Sequence, residues 1–169
     1  MNFIYSKKFY VISVVSLFFL SALLGFLLLN TIDYLSPNQS EEYIQLSPGF
    51  ETSFKIFMRN IIVALILVSG LFLFGIPTLI VLIVNGFWLG STIALLLLDG
   101  DNIANILSNI IPHGILEIPG LLIAGYIGLN GMQFYFRPKV VLNEAIKLLL
   151  VSIILLAFGS LIEGLYTIK

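Results

Sequence analysis

The sequence predicts an all-α, polytopic integral membrane bundle of five transmembrane helices plus a short interfacial or re-entrant helix. Two observations carry that reading. Of 169 residues, 59% are hydrophobic and 10% charged, with a mean hydropathy of +1.10, which is more apolar surface than a soluble core of this size hides. The apolar residues also gather into runs near the roughly 20 residues that cross a hydrocarbon core, broken by charges and turn residues. The whole chain, 1–169, reads as one membrane domain.

The first span covers residues 9–29 behind Lys7 and Lys8. It is too long for the apolar core of a signal peptide, and no small-residue cleavage pattern follows, so an uncleaved anchor is expected. The segment "TIDYLSPNQSEEYIQLSPG", 31–49, is too short and polar to fold alone. The second span, 57–76, follows an amphipathic lead-in, "FETSFKIFMR", with Phe50, Phe54 and Met58 on one face and Glu51 and Lys55 spaced i,i+4 on the other. The tight turn "FGIP" lets Pro77 open the third span, 77–98.

The fourth apolar region, 105–134, is 30 residues. At 1.5 Å per residue that is about 45 Å, against a core of about 30 Å. Pro112 is the expected break, dividing a short helix over 102–111 from a spanning helix over 112–134. The fifth span is 148–166, with Glu144 and Lys147 at its entrance.

Five spans place Lys7, Lys8, Arg137, Lys139 and Lys147 on one side and Lys55, Arg59 and Lys169 on the other. The excess of cations on the first side predicts a multi-pass cell-membrane protein with a cytoplasmic N-terminus.

The stretch "PHGILEIPG", 112–120, holds the single histidine, His113, four residues before Glu117. On a helix these two share a face with Gly120, Ala124, Gly128 and Gly131, a stripe of small residues that lets a neighbouring backbone approach. Gly86, Gly90 and Ala94 form a matching stripe on the third span, so spans three and four are expected to pack together. Pro112 at the outer end of a helix would put Glu117 roughly 8 Å deeper. Asn60 and Glu163 should come near this level, with Asn85 closer to mid-membrane.

An ionisable residue inside a bundle is costly unless paired, which makes it a functional-site hypothesis. Three roles fit His113 and Glu117: a packing hydrogen bond to each other and Asn60, a substrate-binding pocket, or acid–base catalysis. The candidate catalytic residues are His113 and Glu117. The candidate substrate-binding residues are Asn60, Asn85 and Glu163. One histidine, no cysteine and one or two carboxylates fall short of a zinc set, and no cofactor is expected. Phosphate-loop, serine-nucleophile and "HExxH" motifs are missing, as are basic patches for nucleic acid. The expected partners are the lipid bilayer and a hydrophobic peptide or other membrane proteins, while small-residue faces allow a homo-oligomer.

Three segments, "FKIFMRN" ending at Asn60, "NGFWLG" after the proline-containing hairpin, and above all "PHGILEIPG", resemble the stage II sporulation protein M (SpoIIM-like) family over residues 50–134. The resemblance implies a membrane scaffold for peptidoglycan-degrading partners in endospore engulfment. It also implies, through short relatives, the maturation and export systems of circular bacteriocins. The second setting suggests a protein that binds a hydrophobic peptide precursor and assists its maturation, cyclisation or export. His113 and Glu117 would then line the pocket, with Asn60 and Asn85 orienting them. If catalytic, the pair would perform intramembrane peptide-bond chemistry, with Asn60 as an electrophile stabiliser. The alternatives are a non-enzymatic scaffold in envelope remodelling and a bacteriocin immunity or transporter subunit.

Overall fold

The computed structural model describes residues 7–31 and 49–166, leaving out the side chains of residues 30, 31, 109, 110, 112, 113, 132 and 166. Most of the polar 31–49 segment therefore lies outside the described residues. Six helices follow one another: α1 (Lys7–Thr31), α2 (Phe50–Ser69), α3 (Ile76–Leu98), α4 (Ile103–Leu129), α5 (Gly131–Phe136) and α6 (Pro138–Tyr166). No strand occurs among the described residues.

Among these residues, four helices are long and apolar enough to cross a membrane: Lys7–Leu29, Phe50–Ser69, Ile76–Leu98 and Pro138–Leu165. The helix expected to be the fourth span has a shorter apolar stretch, Gly114–Leu129. Large side chains point outward on the long helices: Ile12, Leu20, Ile80, Trp88, Leu150 and Phe158 are each more than half exposed. Small and hydroxylated residues such as Ala94, Ala124, Thr78, Ser152 and Ser160 are fully or almost fully buried. An apolar exterior around a core rich in small residues is what lipid as a solvent favours, because apolar surface gains nothing by leaving it and helix association falls to close packing and interhelical hydrogen bonds.

Two boundaries differ from expectation. α2 begins at Phe50, making the amphipathic lead-in continuous with the span, and it ends at Ser69 rather than 76. The chain turns at once after Ser69, with the Leu73 and Gly75 N–H groups both donating to the Gly70 carbonyl, at 3.2 and 2.7 Å. A side chain on Gly70 would overlap Thr78 Oγ1. Gly75 closes the turn at φ 83°, a left-handed geometry suited to glycine, and Pro77 sits in the first turn of α3 as expected.

The second difference is larger. α4 runs from Ile103 to Leu129 without a break at Pro112, in place of a separate short helix over 102–111. Its start is set instead by Asn102, whose side chain accepts from Asn105 N at 2.8 Å. A proline removes one backbone donor from a helix without ending it when neighbouring helices support the chain. Here Pro112 is followed within eight residues by contacts to α2 and α6. The far end of the long apolar region turns at Asn130 into the short α5, and α6 starts ten residues before the expected span, with Pro138 as its first residue.

All five long helices meet in one core. Val14 and Phe18 from α1, Ala64 and Leu67 from α2, Leu82 from α3, Ala124 from α4 and Leu156 from α6 form a single buried cluster. The stripe of Gly86 and Gly90 on α3 faces α1 rather than α4. A side chain on Gly86 would strike Phe18 O and Ser21 Oγ, one on Gly90 would strike Ala22 O, and one on Gly25 of α1 would strike Phe87 O. These contacts climb together along both chains, so α1 and α3 run side by side in one direction. α4 lies instead against α6: Ser152 Oγ donates to Gly120 O at 2.7 Å, and Leu156 covers Gly120. The α4 stripe is divided: Gly120 lies against α6, whereas Gly128 meets Leu67 O of α2 and Thr78 Oγ1 of α3, so α3 and α4 touch there and not through Gly86 and Gly90.

This arrangement puts the α1 start, the α2–α3 turn, α5 and the α6 start at one end of the bundle. There Lys7 Nζ meets Glu144 Oε2 at 2.6 Å, and Tyr135 OH donates to Phe72 O at 2.5 Å. At the other end, Gly49 N donates to Gly164 O at 3.1 Å, tying the start of α2 to the end of α6.

Because Gly90 packs backbone to backbone on α1, Gly90→Val should push the two helices apart and lower stability by about 1–3 kcal/mol, as overpacking does. Thermal unfolding of the purified protein in detergent measures this directly, and an unchanged midpoint would contradict the contact.

Candidate functional site

The polar centre is built where α2, α4 and α6 meet, near the end that carries Gly49 and Gly164. Glu117 on α4 is half-buried, and its Oε1 accepts from two helices at once. Asn60 Nδ2 on α2 donates to it at 2.6 Å, and Ser160 Oγ on α6 donates at 3.1 Å. Asn60 is 7% exposed and Ser160 1%, so neither donor has water as a ready alternative.

Local sequence explains how three helices come close enough. Gly159 precedes Ser160, and a side chain there would strike Glu117 Cγ. The glycine leaves the space through which Glu117 lies across α6. One helical turn further along α4, Gly120 plays the same part beneath Ser152 and Leu156. The Glu117–Gly120 spacing and the Ser152–Ser160 spacing therefore form one antiparallel seam, closed at its other end by Tyr126 OH donating to Glu144 Oε1 at 3.2 Å.

The proposed site residues separate into groups. Asn60 and Glu117 are in direct contact. Glu163, on the same helix as Ser160, lies within electrostatic reach of Glu117, as does Arg59. Asn85 does not join the hydrogen bonds: its Nδ2 donates to Val81 O of its own helix at 2.8 Å. It does face the same cavity. A cleft of about 340 Å³ opens between α1, α2, α3 and α4, with Arg59, Asn60, Asn85, Trp88 and Glu117 on its walls and Phe18, Ile118 and Leu121 among its apolar lining. His113 lies in α4 one turn before Glu117, and its side chain is outside the described residues.

Ser160 was not among the candidates. Its signal in sequence is the Gly159–Ser160 pair in an otherwise apolar helix, a small residue beside a hydroxyl, which is the composition of a close interhelical contact. Ser152 and Thr78 carry the same signal, the latter donating to Leu67 O at 2.7 Å across the α2–α3 hairpin.

A carboxylate that accepts from two neighbouring helices acts first as a packing node. It holds α2, α4 and α6 in register and faces a cleft whose mixed polar and apolar walls suit an amphipathic or apolar segment.

Comparison with known proteins places the chain. Residues 14–168 match the family described as Stage II sporulation protein M. An uncharacterized protein from Methanocaldococcus jannaschii is 30% identical over 170 residues, covering 94% of each chain. No solved structure matches. The chain belongs to the stage II sporulation protein M family and is a helical membrane protein.

Asn60→Leu should cost about 1–3 kcal/mol, since it leaves a half-buried carboxylate short of a donor. Glu117→Gln should cost less, because the amide oxygen still accepts from Asn60 and Ser160. Unfolding midpoints in one detergent would show that order, and the reverse order would mean that the Glu117 charge, rather than its acceptor oxygen, holds the helices.

Proposed function

We propose that this member of the stage II sporulation protein M family is a non-enzymatic membrane scaffold. It crosses the bilayer five times, α4 included, with the N-terminus in the cytoplasm, and offers the cleft beside Arg59, Asn85 and Trp88 to an apolar segment of a partner membrane protein. The observation that carries this reading is the engagement of Glu117. Glu117, one of the two candidate catalytic residues, has its Oε1 bonded to Asn60 and Ser160, so its acceptor oxygen serves the assembly of three helices. Arg59, Asn85 and Trp88 then remain on the cleft wall as groups that can recognise a ligand without transforming it. The scaffold role also agrees with what the family resemblance implies.

The chemistry of the cleft favours a second occupant, a hydrophobic peptide precursor. Apolar walls at Phe18, Ile118 and Leu121 with amide and guanidinium groups beside them would hold a peptide in extended or helical form. Under that reading His113 and Glu117 remain the candidate catalytic pair, with Asn60, Asn85 and Glu163 as candidate binding residues.

A photo-crosslinking residue in place of the exposed Thr92, at the rim of the cleft, separates the readings in native membranes. The scaffold reading expects cross-links to membrane proteins that weaken severalfold in Arg59→Ala/Asn85→Ala and persist in Glu117→Gln. Cross-links to a short peptide whose processing stops in a folded Glu117→Gln variant would replace the scaffold with the catalytic alternative.

A further inference from the structure

The opposite end of the bundle carries a second cleft, between α1, α4 and α6, which the scaffold reading does not use. It has two connected parts that share Lys7, Tyr126, Glu144 and Leu148. The inner part, about 330 Å³, is walled by Val11, Val15, Leu122 and Ile123 and is open along its length. Val11 and Val15 are 48% and 38% exposed there. The outer part, about 190 Å³, combines apolar walls at Ile127, Val140 and Val141 with the polar side chains of Asn130, Gln133 and Arg137.

The charges in this cleft are unequal. Glu144 is the single acid at this end among the described residues, and its two oxygens are engaged: Oε2 with Lys7 Nζ at 2.6 Å and Oε1 with Tyr126 OH at 3.2 Å. One Lys7 N–H satisfies Glu144, and an ammonium has three. Arg137 adds a guanidinium with five donors at the mouth. Lys8 and Lys139 lie exposed nearby without lining the cleft, and both add to the positive field.

We propose that this cleft binds an anionic phospholipid of the surrounding bilayer. The headgroup phosphate sits between Lys7 and Arg137, and one acyl chain lies along Val11, Val15, Leu122 and Ile123. The juxtaposition of a basic polar mouth with an apolar groove open to the bilayer fits that ligand on both counts. A soluble phosphate would leave the groove unused, and a zwitterionic lipid would leave the cationic excess unanswered. Basic pockets between transmembrane helices recognise anionic headgroups in this way. Bound there, the lipid would bridge α1 to the α4–α6 seam beside the Lys7–Glu144 ion pair.

The full-length protein in detergent provides the test, with phosphatidylglycerol, phosphatidylcholine of the same chains, and glycerol phosphate as probes in native mass spectrometry and thermal-shift titrations. The expected result is preferential retention of phosphatidylglycerol, weakened about fivefold by Arg137→Gln, which leaves the Lys7–Glu144 pair intact. Val15→Trp, which fills the groove from its exposed side, should weaken retention of the lipid without removing Arg137. Lys8→Gln/Lys139→Gln should leave binding near the wild-type level. Equal retention of the two lipids overturns the proposal, as does glycerol phosphate binding as tightly as the lipid. An equal loss in the Lys8/Lys139 variant would also overturn it, since diffuse surface charge would then account for the preference.

Discussion

A bundle dissolved in lipid cannot be sorted by hydrophobicity alone, and in this chain the sorting falls to a few polar atoms and the glycines that let them meet. Glu117 is the clearest instance. One carboxylate oxygen receives Asn60 from α2 and Ser160 from α6 while the residue itself belongs to α4, so three helices are fixed in rotation and height by one group. The hydroxyl bonds from Ser152 to Gly120 and from Thr78 to Leu67 repeat the principle with neutral partners. Each individual bond contributes modestly in a membrane protein, on average about 0.6 kcal/mol by double-mutant cycles. Their influence comes from specificity: a rotated helix would leave these groups unsatisfied in a medium without water.

The same economy separates two regions of the molecule. Near one end, the node at Glu117 stands beside a cleft lined by Arg59, Asn85 and Trp88. At the other, Lys7, Glu144 and Tyr126 close the α4–α6 seam next to a basic mouth and an apolar groove. The core of Val14, Phe18, Leu67, Leu82, Ala124 and Leu156 lies between them and joins all five long helices. A scaffold with a partner cleft at one end and a lipid contact at the other would hold its partner in a set relation to the bilayer.

Much of this was legible in the residues, and the failures share one cause. Helix identity, the proline-initiated third helix and the meeting of Asn60 with Glu117 follow from hydropathy, from Pro77 and from the cost of burying a carboxylate without a donor. What sequence periodicity could not supply was the choice among helix faces that are chemically alike. The Gly86–Gly90 stripe suited either α1 or α4, and the preference for α1 depends on Gly25, Ser21 and Ala22 lying opposite it. Pro112 likewise reads as a breakpoint when α4 is considered alone, whereas the contacts that carry the helix through it come from other helices. Ser160 escaped notice because a lone hydroxyl in an apolar span has no periodic signature; its meaning comes from Gly159 and from Glu117 across the seam.

The central claim is that Glu117 is a structural node joining α2 to α4. A double-mutant cycle of Asn60→Ala and Glu117→Ala, measured by reversible unfolding in one detergent, tests it most directly. The account predicts a favourable coupling of at least about 0.6 kcal/mol, rising toward the roughly 1.7 kcal/mol seen for the strongest membrane pairs. Strictly additive losses would contradict it and return Glu117 to the list of residues whose charge serves some other purpose.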